Sequence, residues 1–187
     1  MKRLSLKQRG FTLLELLITL TIMAILASLA IPAFANTIKR SNSQTIAYQM
    51  MGLVQLARSE AITRRVPITL CGSNNDMTCS KNNPKSFLIF NDANNNHQRD
   101  SDETLYSNSA LKDQGTFYFN VSRGADYLRF RPEGSAIEFG SITYCPADRD
   151  AHYGVEWILN AGGRMRLAQD RNGNGIPEDA NGADIGC

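Results

Sequence analysis

The sequence predicts an α+β protein: a long N-terminal α-helix, first membrane span and then amphipathic stalk, packed on a C-terminal antiparallel β-sheet domain. Three observations predict it. Residues 11–35 form an apolar run that carries one charge, Glu15. Residues 36–65 continue with apolar side chains at helical spacing. From residue 66 onward the pattern changes to short β-like runs separated by clusters of Gly, Asn, Asp and Pro.

The first ten residues form a basic leader with Lys2, Arg3, Lys7 and Arg9 and no acid. Such a cluster stays on the cytoplasmic side and sends the rest of the chain outward. The apolar run is long enough for a membrane helix, which needs about 20 residues. An ordinary secretory signal, cut after Ala33-Phe34-Ala35, is the competing reading, but its apolar core is about 7–15 residues long and gains nothing from Glu15. A plain uncut anchor would leave both Glu15 and the Gly10–Phe11 junction without a purpose. A carboxylate at the centre of a membrane helix costs about 2.5–3.5 kcal/mol. Cleavage between Gly10 and Phe11 frees an amine four residues before Glu15 and so supplies a partner for it.

In the stalk, Ile46, Met50, Leu53, Ala57 and Ala61 fall on one face, widened by Val54. Arg64 and Arg65 suit the negative end of the helix dipole, and Pro67 sets the boundary. The expected strands are Val66–Cys71, Ser86–Phe90, Thr116–Val121, Tyr127–Arg131, Ala136–Phe139, Ser141–Cys145, Gly154–Asn160 and Arg164–Ala168. The organisation is thus a cleaved leader (1–10), a helix (11–65, spanning at 11–35 and stalk-like at 36–65) and a β-domain (66–187). Removing the leader leaves 16 Lys+Arg against 18 Asp+Glu, a formal net of −2, so global charge gives no case for nucleic acid. Outside the cell's reducing interior, Cys71, Cys79, Cys145 and Cys187 allow three pairings. Cys71–Cys79 would close a small polar loop, and Cys145–Cys187 would tie the last residue to a strand end.

Two polar features stand apart from the core. Arg164 and Arg166 lie two apart in a strand after Gly162-Gly163, so both forks face one way and suit phosphate oxygens. Arg129 and Arg131 repeat that spacing, and from residue 113 onward there are seven arginines and no lysine. Salt bridges to Asp148, Asp150 or Glu156 are the competing use of these arginines. Asp92, Asn94, Asn96, Asp100 and Glu103 fall at EF-hand positions 1, 3, 5, 9 and 12, a calcium-like oxygen set. His97 takes the position that normally demands Gly. A similar start recurs at Asp170-Arg171-Asn172-Gly173-Asn174-Gly175, with Asn181 where the Glu should be. No cofactor is required, and calcium is the one ion these loops suggest. Two isolated histidines, no metal-protease motif and no phosphate loop exclude the common enzyme classes.

The Gly10-Phe11 junction followed by Glu15 and an apolar run resembles the type IV prepilin (class III) signal. The β-domain resembles, more loosely, the minor pilins of the GspH/FimT/FimU group. The shared features are a cysteine-bearing strand after the helix, an Asp/Asn-rich loop, Phe130-x-Pro132-x-Gly134, a Gly-Arg strand and a terminal cysteine. The long tail after Arg166 looks more like the FimU type. The resemblance implies a pilin-like fold and a non-enzymatic filament subunit. Prepilin peptidase would cut after Gly10 and methylate Phe11, and Glu15 would pair with a neighbour's terminal amine. The partners implied are other minor and major pilins and the assembly platform of the inner membrane. The protein would sit there as a single-pass protein with a periplasmic domain, then join a pilus and help prime it at or near its tip. Gly163-Arg164-Met165-Arg166 resembles the G-R-x-R motif with which FimT minor pilins bind double-stranded DNA during uptake, and a type II secretion pseudopilin of the H type is a further alternative.

Overall fold

The structure, a computed structural model, describes residues 12–80, 84–110 and 115–187. Helix α1 spans Leu13–Arg64. Eight strands follow: β1 (Ile68–Ser73), β2 (Ser86–Phe90), β3 (Leu105–Ala110), β4 (Thr116–Val121), β5 (Tyr127–Phe130), β6 (Gly140–Cys145), β7 (Val155–Leu159) and β8 (Met165–Leu167). They form two four-stranded antiparallel sheets, in the orders β3-β2-β1-β5 and β4-β6-β7-β8. The chain divides into two units at Arg40/Ser41, inside α1.

In the first unit the helix begins with a cap. The Thr12 hydroxyl accepts the Glu15 backbone N–H at 3.2 Å, and the Glu15 carboxylate sits in the first turn, where the helix dipole favours an anion. The apolar side chains from Leu13 to Phe34 are mostly more than half exposed. The hydroxyls of Thr19, Thr21, Ser28 and Thr37 bond back to carbonyls three or four residues earlier, so these polar groups need no outside partner. By length and composition the helix is able to cross a membrane.

The second unit is built around the other half of α1. Ile46, Ala47, Met50, Leu53, Val54, Ala57 and Ala61 are buried in one cluster with residues of both sheets. Trp157 of β7 is fully buried and its Nε1–H donates to the Ala47 carbonyl at 3.1 Å. Phe117 of β4 packs edge-on against Phe87 of β2 (5.4 Å between centroids) and against Tyr144 of β6 (5.2 Å), so it joins the two sheets. β4 alternates as its sequence does: Phe117 and Val121 are buried, Tyr118 and Asn120 exposed. β1 and β2 are buried along their whole length. One face meets α1, and on the other Cys71, Leu88 and Phe90 form a second cluster with Leu105 and Tyr127.

Three departures from the expected strands have local causes. β1 begins at Ile68 rather than Val66, because α1 is ended by Arg65 in the left-handed region (φ 58°) and Val66-Pro67 form the exit. β3 begins with Leu105 and Tyr106, which pack on the two hydrophobic clusters, but continues polar, so it lacks a strand's alternation and is completed by pairing along β2. Ala136–Phe139 is not a strand: Ala136 makes one bridge to Phe130, and Glu138 turns inward.

Two disulfides, Cys71–Cys79 and Cys145–Cys187, close the domain. The second spans 42 residues and holds the tail on β6. Replacing Cys145 and Cys187 together by Ser should lower stability by about 3–4 kcal/mol, read as a shift in denaturant midpoint under oxidising conditions.

Candidate functional site

Of the expected processing residues, Gly10 and Phe11 lie outside the described residues, and Glu15 stands in the exposed first turn of α1. The Gly-Arg segment is a tight hairpin between β7 and β8. Asn160 organises it: its carbonyl accepts Gly163 N–H (3.0 Å), its side chain accepts Arg164 N–H (3.0 Å), and its own N–H donates to the Arg164 carbonyl (3.1 Å). Gly163 has φ 74° and is pressed against the 131–136 turn; a Cβ there would lie 2.2 Å from the Gly134 carbonyl oxygen. That oxygen also accepts a bond from Arg58 Nε of α1 at 2.9 Å. The glycine is therefore a packing requirement, and it seats the hairpin on the C-terminal part of α1. Arg164 and Arg166, by contrast, are exposed, and among the described residues neither guanidinium makes a hydrogen bond or ion pair.

The second arginine pair divides. Arg131 is accessible: it bonds Ser135 Oγ at 3.2 Å and lies 4.0 Å from exposed Glu133, a loose surface pair. Arg129 is not a free phosphate ligand, which corrects the expectation for this pair. Its side chain is 14% exposed, with Nη2 2.6 Å and Nε 3.2 Å from the fully buried Glu138 and Nη1 2.8 Å from Asn95 Oδ1. The bonds to Glu138 push its pKa further up. Glu138 escaped notice in the sequence because it sits between Ile137 and Phe139, in an apparent strand whose polar position reads as outward.

The two Asp/Asn loops are built alike. Asp92, 1% exposed, accepts the N–H of Asn96 (3.1 Å) and His97 (3.2 Å); Asp170 accepts those of Gly173 (2.7 Å) and Gly175 (2.8 Å). Asn95 and His97 have left-handed φ of 58° and 59°, as Gly173 and Gly175 do at 79° and 88°. A buried glutamate closes each loop. Glu103 accepts Ala93 N–H at 2.8 Å, and Glu178 accepts Arg171 N–H at 2.7 Å. Glu178, not a residue at position 181, thus supplies the carboxylate of the second loop. Asp100 and Asp184 each receive two asparagine amides, from Asn94 and Asn96 and from Asn172 and Asn174. Among the described residues no group of three His, Cys, Asp or Glu is arranged to hold a metal ion. Arg129 and a His97–Tyr127 stack (3.8 Å) fasten the first loop to β5.

Sequence reasoning gave Glu156 only the place of a salt-bridge partner. It is 4% exposed on β7; Oε2 accepts Thr143 Oγ1–H at 3.1 Å, and Oε1 has no partner. Burial raises its pKa, opposed by the nearby hydroxyls of Ser141 and Thr143 and by the charge of Arg166.

Residues 47–170 match the family described as type II transport protein GspH. The chain belongs to the GspH family. Residues 5–31, which include Gly10, Phe11 and Glu15, match the prokaryotic N-terminal methylation motif. No curated protein matches this sequence. Two crystal structures of the type IV minor pilin FimU from Pseudomonas aeruginosa PAO1 are similar in fold, each at 16% identity. One covers 70% of this chain and 90% of FimU with a TM-score of 0.49; the other covers 67% and 92% with 0.45. Likeness at that level lends no weight to a function. GspH-family proteins are structural filament subunits rather than enzymes, anchored by an apolar N-terminal helix that precedes a soluble domain.

For this GspH-family protein, Arg129→Leu should cost about 3–5 kcal/mol, because Glu138 is left buried and unpaired. Adding Glu138→Leu should recover most of that loss in chemical denaturation of the double variant.

Proposed function

We propose that this protein is a minor, non-enzymatic subunit of a type IV pilus that primes assembly at or near the tip. The observation that carries the reading is the first unit of α1. It is apolar and exposed on every side, and Glu15 is its single charge between Phe11 and Asn36. Such a surface suits lipid first and other helices afterwards. Prepilin peptidase removes residues 1–10 and methylates Phe11, and Glu15 pairs with the terminal amine of the next subunit. The protein stands in the inner membrane with its β-domain in the periplasm, then enters the fibre with the major and other minor pilins. Protein purified from membranes should begin at N-methylated Phe11, and Glu15→Leu should retain that processing while pilus counts fall. A chain beginning at Asn36 would overturn the reading. Normal pili together with failed protein secretion in a deletion strain would assign the subunit to a type II secretion system instead.

The hairpin favours a second role compatible with the first, binding of double-stranded DNA for uptake. Arg164, just before β8, and Arg166 within it present two forks, unpaired among the described residues, on a turn whose backbone is held by Asn160 and Gly163. Arg131 stands on the adjoining turn. Changing Arg164 and Arg166 to Gln should weaken binding to duplexes of any sequence and flatten the salt dependence by about one unit per lost phosphate contact. Salt-insensitive or absent binding by the wild-type chain would exclude this role.

A further inference from the structure

Glu156 occupies an unusual position for an acid. Val155, Trp157 and Leu159 of β7 belong to the core cluster, so Glu156 and Ile158 face the opposite side of the sheet. On that outer side Thr143 of β6 lies directly across from Glu156 and donates its hydroxyl to Oε2, and Ser141 lies across from Ile158. On the other flank Arg166 of β8 is opposite Ile158, which makes it the diagonal neighbour of Glu156, at a spacing of about 7–8 Å that a long side chain bridges. The tail contributes Asp179, whose charge opposes ionisation of Glu156. Asp179 is itself held ionised, chiefly by the Ala183 N–H and then by other N–H groups of its turn. Glu156 is thus 4% exposed and lacks a partner at Oε1, and among the described residues Arg166 is the cation acting on it. That cation is also one of the two forks offered to phosphate.

We propose that Glu156 is a positioning residue for Arg166: ionised, it draws the guanidinium down onto the sheet in competition with phosphate, and neutral, it releases it. This inference rests on the duplex-binding reading of the hairpin given above. The direction with pH follows. Burial holds the Glu156 carboxyl above the usual carboxylate range, so it takes up its proton as pH falls through that raised value. Arg166 then loses its competitor and duplex affinity rises. The coupling is reciprocal, since phosphate on Arg166 removes the cation that stabilises ionised Glu156.

The test uses the full chain in non-ionic detergent and a fluorescent DNA duplex of mixed sequence. Anisotropy is measured at constant ionic strength from about pH 8 to about pH 5. Wild-type affinity should rise about three- to fivefold on acidification, the scale of one partly exposed ion pair. Glu156→Gln should bind at the upper pH as tightly as wild type does at the lower, with a flat profile. Arg166→Gln should be weak and flat, and Arg164→Gln weak but still pH-dependent. Circular dichroism melting confirms that each variant is folded. A Glu156→Gln profile that parallels wild type overturns the inference. So does a wild type that binds DNA without pH dependence, which leaves the duplex-binding reading intact. A folded wild type that binds no duplex at any pH overturns that reading and this inference with it.

Discussion

Both sheets of the domain take their inner face from one strip of α1. Ile46, Met50, Leu53, Ala57 and Ala61 recur at three- and four-residue steps, and strands from each sheet close on them. The alanines matter as much as the large residues. Ala57 and Ala61 have no accessible surface, so the sheets approach the helix closely along its last turns. Trp157 fixes where the second sheet sits, since its indole N–H finds the Ala47 carbonyl and its ring fills the space beneath. A helix carbonyl that accepts this extra bond requires the tryptophan at one depth along the helix axis.

The parts legible in the sequence are those where periodicity and burial coincide. The stalk face is one, and β4 and β6 are others, because one side of each strand meets the core and the other does not; β7 keeps the period but buries Glu156 on its outer face. β3 was not legible. Leu-Tyr-Ser-Asn-Ser-Ala does not alternate apolar with polar, and it becomes a strand because β2 offers it an edge and its first two side chains pack on the clusters below. Ala136–Phe139 failed for the opposite reason. Its composition reads as strand, but Glu138 is held inside by Arg129, an interaction between residues nine apart that no local pattern encodes. The same pair removes Arg129 from the surface, whereas Arg164 and Arg166, with identical spacing, remain on it. Spacing placed each pair on a face; it did not reveal which face was covered.

The Gly-Arg hairpin separates two kinds of constraint within four residues. Gly163 answers to the fold, because the Gly134 carbonyl leaves no room for a side chain. Arg164 and Arg166 are exposed, and among the described residues neither guanidinium makes a hydrogen bond or ion pair. The hairpin is nevertheless a firm mount, seated through Gly134 on the Arg58 side chain of α1. Forks presented from a rigid turn lose less conformational freedom on meeting an anion than the same residues in a loose loop.

The self-closing Asp/Asn loops carry a consequence for how such a protein changes over generations. Each is tied by its own carboxylates and amides, and the first reaches β5 through Arg129 and a single ring stack. Insertions or rewritten residues in either loop would leave the helix strip and the inner faces of the sheets undisturbed. The outward surface of these loops is thereby free to vary without a matching drift in the interior.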